Sequence, residues 1–378
     1  MNILFCYMYQ SNNKMSCADG MVRSFKALGH NVSTCGPADK NFDGKLLSKH
    51  DIPLYDKANH PETYTYEEII NKHIEKYIYK PDLIIQTDPH FYLIGDKPKD
   101  IISAYWIMDV HRGPNVFRDM AIAGKFDYVF IAQKYYMPIF KSVGLNCIYL
   151  PWAYDDTKIY EHPEINIECD ISFIGNTSLK EKEWFSDDTQ YSRLYYDKEL
   201  GLKYIKIINN IPNEKKFGIG WENRSMEYAE RTEHLCRLSR DFNVRIYERC
   251  YDLVKYSKAL SRGRLGFHHS LRRDITLKVF EIPAINRMLI TDEIPNLNSI
   301  MTDGVNLKTF KNYYQPQFAG FDLDYEILKK IVDYYLKNKE ERNEIAKNGM
   351  LQVKNNHTFK NRAQKILSSI KDNNGRNQ

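Results

Sequence analysis

The sequence predicts an α/β protein with two lobes, each built around a doubly wound parallel sheet. The chain has 378 residues, and a typical domain size of about 150 residues suggests two domains. Two stretches, one at residues 2–34 and one at residues 266–291, have the pattern strand, loop, helix, strand, which is the repeating unit of such sheets. Hydrophobic residues make up 43% and charged residues 27% of the chain, as in ordinary globular proteins.

The first of these units begins with an apolar strand at residues 2–7. Residues 20–28 are amphipathic and predict a helix, which Gly29 is expected to end because glycine readily adopts the left-handed C-cap conformation. Asp19 and Gly20 stand where the loop meets this helix. Asp19 suits either a plain helix N-cap or a ligand contact, and the pattern favours the cap.

Polar residues follow one of the predicted buried strands of the first lobe. Asp109 and His111 come directly after the apolar run at residues 103–108. Residues just past the carboxyl ends of parallel strands line the crevice of an open sheet, so these two are the first acid/base candidates. The alternative is a turn in which the aspartate caps a helix at residues 116–121. Further strands are predicted at residues 83–86, 127–131 and 147–150, and helices at residues 66–79 and 135–141.

A Pro-Trp-Ala-Tyr step at residues 151–154 interrupts the pattern and marks the predicted boundary between the lobes. The predicted domains are therefore residues 1–154, residues 155–357, and a terminal helix with a polar tail at residues 358–378. The second lobe opens with a strand that ends at Gly175 and Asn176, where a glycine allows close approach of a ligand. Residues 179–208 are charged and predicted helical, and Thr358 is predicted to cap the last helix.

The most informative stretch runs from Gly266 to Thr291. The loop after its first strand is predicted to end with Asp274 as the N-cap of a helix at residues 276–285. Free amides and the helix dipole favour phosphate at such a point, and Arg272 and Arg273 could add charge-assisted bonds to a diphosphate. Glu281 lies about two turns after Asp274, on the same side of the helix. The alternative is an ordinary solvated helix face.

Three motifs in this half of the chain resemble a known family. They are RRDITLKVFE at residues 272–281, MLITD at residues 288–292, and Pro295. They resemble the spore-maturation CgeB-like glycosyltransferases, which are of group-1 type and have the GT-B fold. This resemblance implies two Rossmann-like lobes facing across a cleft, with a C-terminal helix crossing back to the first lobe. Glu281 matches the family's ribose-binding glutamate, and Arg273 occupies the position of the wider group's other glutamate.

The resemblance implies a glycosyltransferase that moves a sugar from a nucleotide-diphosphate sugar to an acceptor. The acceptor could be a glycan, a protein, a small molecule or a modified DNA base. Two other classes remain open: a nucleotide-sugar epimerase or hydrolase of the same fold, and a non-catalytic nucleotide-sugar-binding protein. The expected catalytic residues are Asp109, His111 and Arg273. The expected acceptor residues are Asp19 and Gly20. The expected donor-binding residues are Gly175, Asn176, His269, Ser270, Arg272, Arg273, Asp274, Ile275, Thr276 and Glu281.

Charge and cysteine content narrow the possible partners and cofactors. The net charge of +5 is spread along the chain, so the charge alone does not require a nucleic-acid partner. The seven cysteines include no CxxC pair, which predicts reduced thiols in a cytoplasmic protein and no zinc site. No run approaches the roughly 20 apolar residues of a membrane span.

No metal or other cofactor is expected. Asp322 and Asp324 form an Asp-x-Asp pair, which in other transferase folds binds a metal. Here the pair precedes a helix predicted at residues 325–337, so we interpret it as a turn and cap.

Overall fold

The computed structural model describes residues 1–7, 17–37, 51–54, 63–77, 79–87, 92–94, 97–110, 115–175, 185–186, 192–194, 231, 234–235, 237–247, 252–271, 274–311 and 321–374. Contacts divide the chain into two compact units. We call Met1–Asp155 with Thr358–Gln378 the first lobe, and Asp156–His357 the second lobe.

The first lobe contains a seven-stranded parallel sheet in the order β3-β2-β1-β5-β7-β8-β9. Its strands are β1 (Asn2–Cys6), β2 (Asn31–Pro37), β3 (Asp51–Leu54), β5 (Leu83–Thr87), β7 (Ile102–Ile107), β8 (Tyr128–Ile131) and β9 (Cys147–Tyr149). Strands β4 (Thr63–Thr65) and β6 (Tyr92–Ile94) form a separate parallel pair. The central strands β1, β5 and β7 are almost continuously apolar and buried, as strands covered on both faces require.

The described helices of the first lobe include its carboxyl-terminal one. They are α1 (Cys17–Ala27), α2 (Tyr66–Tyr77), α3 (Asn115–Ala123), α4 (Met137–Ser142) and, at the end of the chain, α9 (Phe359–Asn374). Helix α1 packs directly on α9. A Cβ atom at Gly20 would lie 2.3 Å from the ring of Phe359, so only glycine permits this approach. Gly29 ends α1 with φ +83°, as the sequence predicts.

The carboxyl-terminal helix is anchored to the chain segment that leaves the first lobe. Arg362 donates to the backbone oxygens of Pro151 at 2.6 Å and Trp152 at 2.7 Å. Thr358 and Asn361 cap the start of α9 reciprocally: the Asn361 amide donates to Thr358 Oγ1 at 3.2 Å, and the Thr358 amide donates to Asn361 Oδ1 at 2.9 Å. The predicted cap at Thr358 is therefore confirmed.

The second lobe contains a seven-stranded sheet in the order β11-β12-β13-β10-β14-β15-β16. Its strands are β10 (Cys169–Ile174), β11 (Phe185–Ser186), β12 (Ser192–Leu194), β13 (Val244–Tyr247), β14 (Gly263–His268), β15 (Met288–Asp292) and β16 (Lys308–Phe310). Five neighbouring strands of this sheet are parallel, namely β13, β10, β14, β15 and β16. Strands β11 and β12 extend the sheet beyond β13 in antiparallel pairing.

Helices α5 (Leu253–Ser261), α6 (Lys278–Ala284), α7 (Phe321–Lys337) and α8 (Lys339–Asn356) belong to the second lobe. Asp252 caps α5 by accepting from the amides of Val254 and Lys255. Helix α6 lies close to β14 because Gly266 has no side chain. A Cβ atom at Gly266 would lie 2.3 Å from Cγ2 of Ile282.

Several predicted element boundaries were wrong. Residues 179–208 were predicted helical, but the described residues in this range form β11 and β12, because β12 pairs with the edge of β13. Helix α7 begins at Phe321 rather than residue 325, so Asp322 and Asp324 lie in its first turn instead of preceding it. Residues 304–307 were predicted to form a turn and a strand; the turn is present, and the strand β16 starts later, at Lys308.

Candidate functional site

Polar side chains collect at the carboxyl ends of β10 and β14, where the second lobe's parallel strands finish. Strand β14 ends at His268, and His269 and Ser270 continue into the following loop. All three residues are buried. Polar groups concentrated at this edge of a parallel sheet are characteristic of a ligand site.

A buried hydrogen-bonded chain runs through His268. Its Nδ1 lies 2.9 Å from Thr291 Oγ1, and its Nε2 lies 3.0 Å from Thr276 Oγ1. Thr291 donates its own hydroxyl hydrogen to Asp292 Oδ1 at 3.3 Å. We therefore assign the proton of His268 to Nδ1, which leaves Nε2 to accept from Thr276. Burial, helped by nearby cationic groups of which Arg231 is the strongest, holds the pKa of His268 well below its usual value, so the ring is neutral.

The loop after β14 is held by two further side chains. Asp292 accepts the Ser270 amide at 2.7 Å and also binds the Ser270 hydroxyl. Arg231, itself buried, donates to the His269 carbonyl oxygen from Nε at 3.1 Å and from a terminal nitrogen at 2.8 Å. These bonds fix the backbone of residues 269–270 before any ligand binds.

Helix α6 begins later than predicted, and Asp274 is not its N-cap. The N-cap is Leu277, and α6 starts at Lys278. The Asp274 amide donates to the Leu271 carbonyl at 3.3 Å. The delay has a physical cause: the bond from Thr276 to His268 ties residue 276 to the sheet and keeps it outside the helix.

Glu281 is the most strongly perturbed carboxylate of this site. It is 4% exposed, and Tyr256 donates its hydroxyl to Oε2 of Glu281 at 2.6 Å. Lys278 Nζ lies 3.1 Å from the Tyr256 oxygen and 5.0 Å from the centre of its ring. Burial raises the pKa of Glu281, while Lys278 and Tyr256 oppose that shift. A ligand that donates hydroxyls to this carboxylate would replace part of the hydration lost on burial.

Gly175, at the end of β10, lies beside this group. A Cβ atom placed on Gly175 would be 3.4 Å from Lys278 Cε and 3.1 Å from the Phe173 ring. The predicted donor residues Gly175 and Glu281 are thus connected through Lys278. The structure brings together the end of β10, the end of β14 and the first turn of α6, as expected for strand-loop-helix units in one sheet.

The other predicted donor residues divide into two groups. His269, Ser270, Asp274 and Ile275 are buried, and Thr276 is partly exposed. Asn176, Arg272 and Arg273 lie outside the described residues, and their assigned roles remain predictions.

In the first lobe the candidate residues do not form one described cluster. Asp19 lies inside the first turn of α1 rather than capping it, and it pairs with Arg23, which also binds Asp155. Gly20 is buried against Phe359 and serves close helix packing. Asp109 is partly exposed two residues after β7. The helix predicted at residues 116–121 is α3, which starts at Asn115. His111 lies outside the described residues.

The residues that support the site from other elements were not predicted from the sequence. They are Tyr256, His268 and Arg231. The sequence signal for a role of Tyr256 was weak. Tyr256 and Ser257 carry hydroxyl groups on the buried face of an amphipathic helix.

The described residues contain neither a candidate metal centre nor a candidate membrane-spanning helix. No group of histidine, cysteine and acidic residues in these segments could hold a metal ion. Within the same segments, no helix is long and apolar enough to cross a membrane.

Solved structures with the same architecture include several glycosyltransferases. Sucrose-phosphate synthase from Thermosynechococcus elongatus aligns over 98% of both chains with a TM-score of 0.60 and 11% identity. HepE from Anabaena, solved in complex with UDP and glucose, aligns over 98% of this chain and 100% of its own, with a TM-score of 0.58 and 12% identity. The chain has the GT-B fold.

Part of the chain also resembles a family by sequence. Residues 206–368 match the model of the family described as "Glycosyl transferase-like". A third GT-B structure, an α-glucosyltransferase in complex with UDP-glucose and DNA containing an abasic site, aligns over 98% of this chain and 100% of its own, with a TM-score of 0.55 and 11% identity. No curated protein matches the chain. The glycosyltransferase-like domain and the GT-B fold together indicate glycosyl transfer.

Proposed function

We propose that the protein transfers a sugar from a uridine-diphosphate sugar to an acceptor, with the donor held by the second lobe. The observation that carries this proposal is the buried group of Glu281, Tyr256 and Lys278 at the carboxyl ends of β10 and β14. This group lies within the segment that matches the glycosyltransferase-like family. HepE and the α-glucosyltransferase, which share the fold, were solved with UDP or UDP-glucose.

The nucleotide end of the donor is assigned to Glu281. Its carboxylate would accept hydrogen bonds from the two ribose hydroxyls. This role agrees with the resemblance of RRDITLKVFE to the CgeB-like branch. We propose that this chain belongs to that branch. Tyr256 fixes the orientation of the carboxylate by its bond at 2.6 Å. This arrangement favours a diol over a single hydroxyl, because two donors compensate the buried charge better than one.

The diphosphate end is assigned to Lys278, with Arg272 and Arg273 as further cations. Lys278 is partly exposed beside Gly175, where a backbone without a side chain lets a phosphate approach. Thr276 is partly exposed, and its hydroxyl hydrogen is engaged by His268. Negative charge develops on the diphosphate as the bond between the sugar carbon and its phosphate oxygen breaks. Fixed cations at that point lower the barrier without a metal ion.

The acceptor is assigned to the first lobe, where Asp19 and Gly20 remain the candidates. During transfer the acceptor hydroxyl forms the new bond to the sugar carbon, and its proton passes to a base. Asp109 and His111 are proposed for that role, because Asp109 follows a central strand of the sheet. Among acceptor classes, a modified DNA base stays in consideration. We further propose a cytoplasmic protein, since the described cysteines are all free thiols.

The test is nucleotide release from a panel of UDP-, GDP- and TDP-sugars, measured with and without acceptor extracts. A glycosyltransferase releases UDP much faster when an acceptor is present. Acceptor-independent release would instead indicate a hydrolase, and conversion of the donor sugar without release would indicate an epimerase. Binding of a UDP-sugar without turnover under any condition would leave only the binding protein and overturn the proposal.

A further inference from the structure

Helix α4 of the first lobe presents an exposed apolar stripe framed by lysines. Tyr135, in the short 3-10 turn before α4, is 66% exposed, Ile139 is 42% exposed, and Val143, just after α4, is 58% exposed. The three exposed side chains are spaced along the 3-10 turn, the helix and the residue that ends it. The segment is held to the sheet by Phe140, which is fully buried in the core.

The charge along this segment of the sequence is predominantly positive. Between residues 124 and 154 the basic residues are Lys125, Lys134 and Lys141, and the acidic residue is Asp127. Asp127 is already paired with Lys97 at 2.8 Å. All three lysines are exposed. The loop that carries Lys125 lies beside the end of the stripe, since a Cβ atom at Gly124 would be 3.9 Å from Leu145. We call the six residues Tyr135, Ile139, Val143, Lys125, Lys134 and Lys141 the α4 patch.

We propose that the α4 patch docks the first lobe onto an anionic lipid surface. An aromatic and aliphatic stripe flanked by lysines is the composition of helices that lie in the membrane interface. Lipid headgroups need no complementary shape, whereas a stable protein interface uses roughly 20–30 residues on each side. A patch of six residues can contact lipid headgroups, but it is much smaller than one side of a stable protein interface.

Two features of the fold suit this role. The patch lies on the crossover between β8 and β9, and β9 is the edge strand of its sheet. An edge position leaves the outward side of the crossover open to a broad, flat partner. The backbone is also firmly placed: the amides of Gly144 and Leu145 donate to the carbonyls of Lys141 and Phe140 at 3.0 and 3.1 Å. Docking therefore needs no ordering of the segment.

The inference is independent of the proposed activity and is tested by sedimentation of the full chain with lipid vesicles. One set of vesicles is phosphatidylcholine alone, and the other is an equimolar mixture of phosphatidylcholine and phosphatidylglycerol. The chain is expected to bind the mixed vesicles and to be released by salt. The double variant Lys134→Gln/Lys141→Gln should bind the mixed vesicles at least tenfold more weakly, since each lysine near an anionic surface is worth about fivefold.

The apolar part is tested by the triple variant Tyr135→Ser/Ile139→Ser/Val143→Ser. Its matched control is Tyr334→Ser/Leu351→Ser/Val305→Ser, which removes similar side chains of the second lobe that are 48%, 42% and 47% exposed. The patch variant should lose at least tenfold in vesicle binding, and the control should bind like the parent. Circular dichroism and thermal unfolding establish that each variant is folded.

Three results would overturn the inference. The first is that the parent fails to sediment with the mixed vesicles even at low salt. The second is that the patch and control variants lose binding equally, which would mean non-specific adsorption. The third is that the parent is a dimer that the patch triple converts to a monomer without any vesicle binding, which would make the surface an interface between copies.

Discussion

The first-turn acids of two helices, Asp19 in α1 and Glu281 in α6, occupy comparable places in the two lobes but different environments. Each helix follows the strand of a strand-loop-helix unit. Asp19 pairs with Arg23, whose side chain is 35% exposed. Glu281 is buried, and its nearest described partner is the neutral hydroxyl of Tyr256.

The two acids differ in how much of their charge is compensated by the described protein groups. An ion pair on a partly exposed helix is satisfied by protein alone and contributes about 0–1 kcal/mol. A buried carboxylate whose pKa is raised by desolvation is under-compensated until a donor group arrives. We therefore expect a ligand to stabilise the acid of the second lobe, whereas the acid of the first lobe is already paired with a cation.

The largest expected effect concerns Arg273, the residue whose charge is opposite to that of the wider family's glutamate. If it faces the diphosphate, Arg273→Ala should lower kcat by about 10²–10³, because the contact strengthens as leaving-group charge develops. Arg273→Lys should remain impaired, since lysine lacks the two-pronged geometry. Steady-state kinetics with a UDP-sugar measure both. An alanine variant within about threefold of the parent would transfer the role to Lys278 or Arg272.

The comparison between the two acids is tested directly by alanine substitution in each lobe. Glu281→Ala should weaken UDP-sugar binding by roughly tenfold or more, because a carboxylate that accepts two hydroxyls makes charge-assisted bonds of ~1.5–3 kcal/mol. Asp19→Ala, the matched control, should leave donor affinity unchanged. Titration calorimetry on folded variants decides. Equal donor affinity in the parent and in Glu281→Ala would remove Glu281 from the site.

The two close helix contacts through glycine offer a stability test of each lobe. Gly266→Ala places a methyl group against Ile282, and Gly20→Ala places one against Phe359. Each should cost about 1–3 kcal/mol, because well-packed cores resist overpacking. Gly124→Ala is the control, since the atoms nearest to its added Cβ would lie at 3.7 Å, which is ordinary van der Waals contact. Hydrogen exchange should show faster opening around α6 in the first variant and around α9 in the second; the reverse pattern would contradict the packing described.

A smaller effect is expected in the pH dependence of stability. Burial raises the pKa of Glu281 in the folded state, so the folded chain holds this proton more tightly than the unfolded chain does. Stability of the ligand-free protein is therefore lost as pH rises from the ordinary value of 4.5 through the raised pKa. Glu281→Gln removes this dependence, so it should be stabilised relative to the parent at neutral pH and not below pH 4.5.

Denaturant unfolding of the parent and of Glu281→Gln across that pH range measures the difference. Other titrating groups are shared by the two proteins and cancel in the comparison. A difference in stability that is independent of pH, or one that favours the parent at neutral pH, would mean that desolvation does not dominate at Glu281.

The smallest expected effect is that of a chelator. Incubation with EDTA should leave sugar transfer unchanged, because cations of the second lobe are assigned to the diphosphate. Loss of turnover that manganese or magnesium restores would contradict this assignment. It would direct attention to Asp322 and Asp324 in the first turn of α7.

Local patterns predicted most of the fold. The central strands were visible because residues 83–86 and 103–108 are short apolar runs bounded by polar residues, and Gly29 marked the end of α1 by its required φ of +83°. Strands β11 and β12 were missed because they are short and lie in a charged segment, so their extended form depends on pairing with β13.

The candidate site was predicted only where its residues are close in sequence. Glu281 and Gly175 were found from local motifs. Tyr256 lies 25 residues from Glu281 along the chain, and the start of α6 depends on the bond between Thr276 and His268 on a neighbouring strand. Such contacts are decided by tertiary packing, and no local periodicity reports them.

The return of α9 to the first lobe has a consequence for synthesis on the ribosome. Phe359, Ala363, Ile366 and Ile370 fill the core beside α1, and the Tyr128 hydroxyl bonds the carbonyl of Ile370 across 242 positions of sequence. The second lobe is contiguous and can close as soon as its last residues emerge. The strands of the first lobe are made earlier, but its apolar face beside α1 stays uncovered until α9 has been synthesised. The order of folding thus reverses the order of synthesis, and the early lobe is the one that requires protection from aggregation.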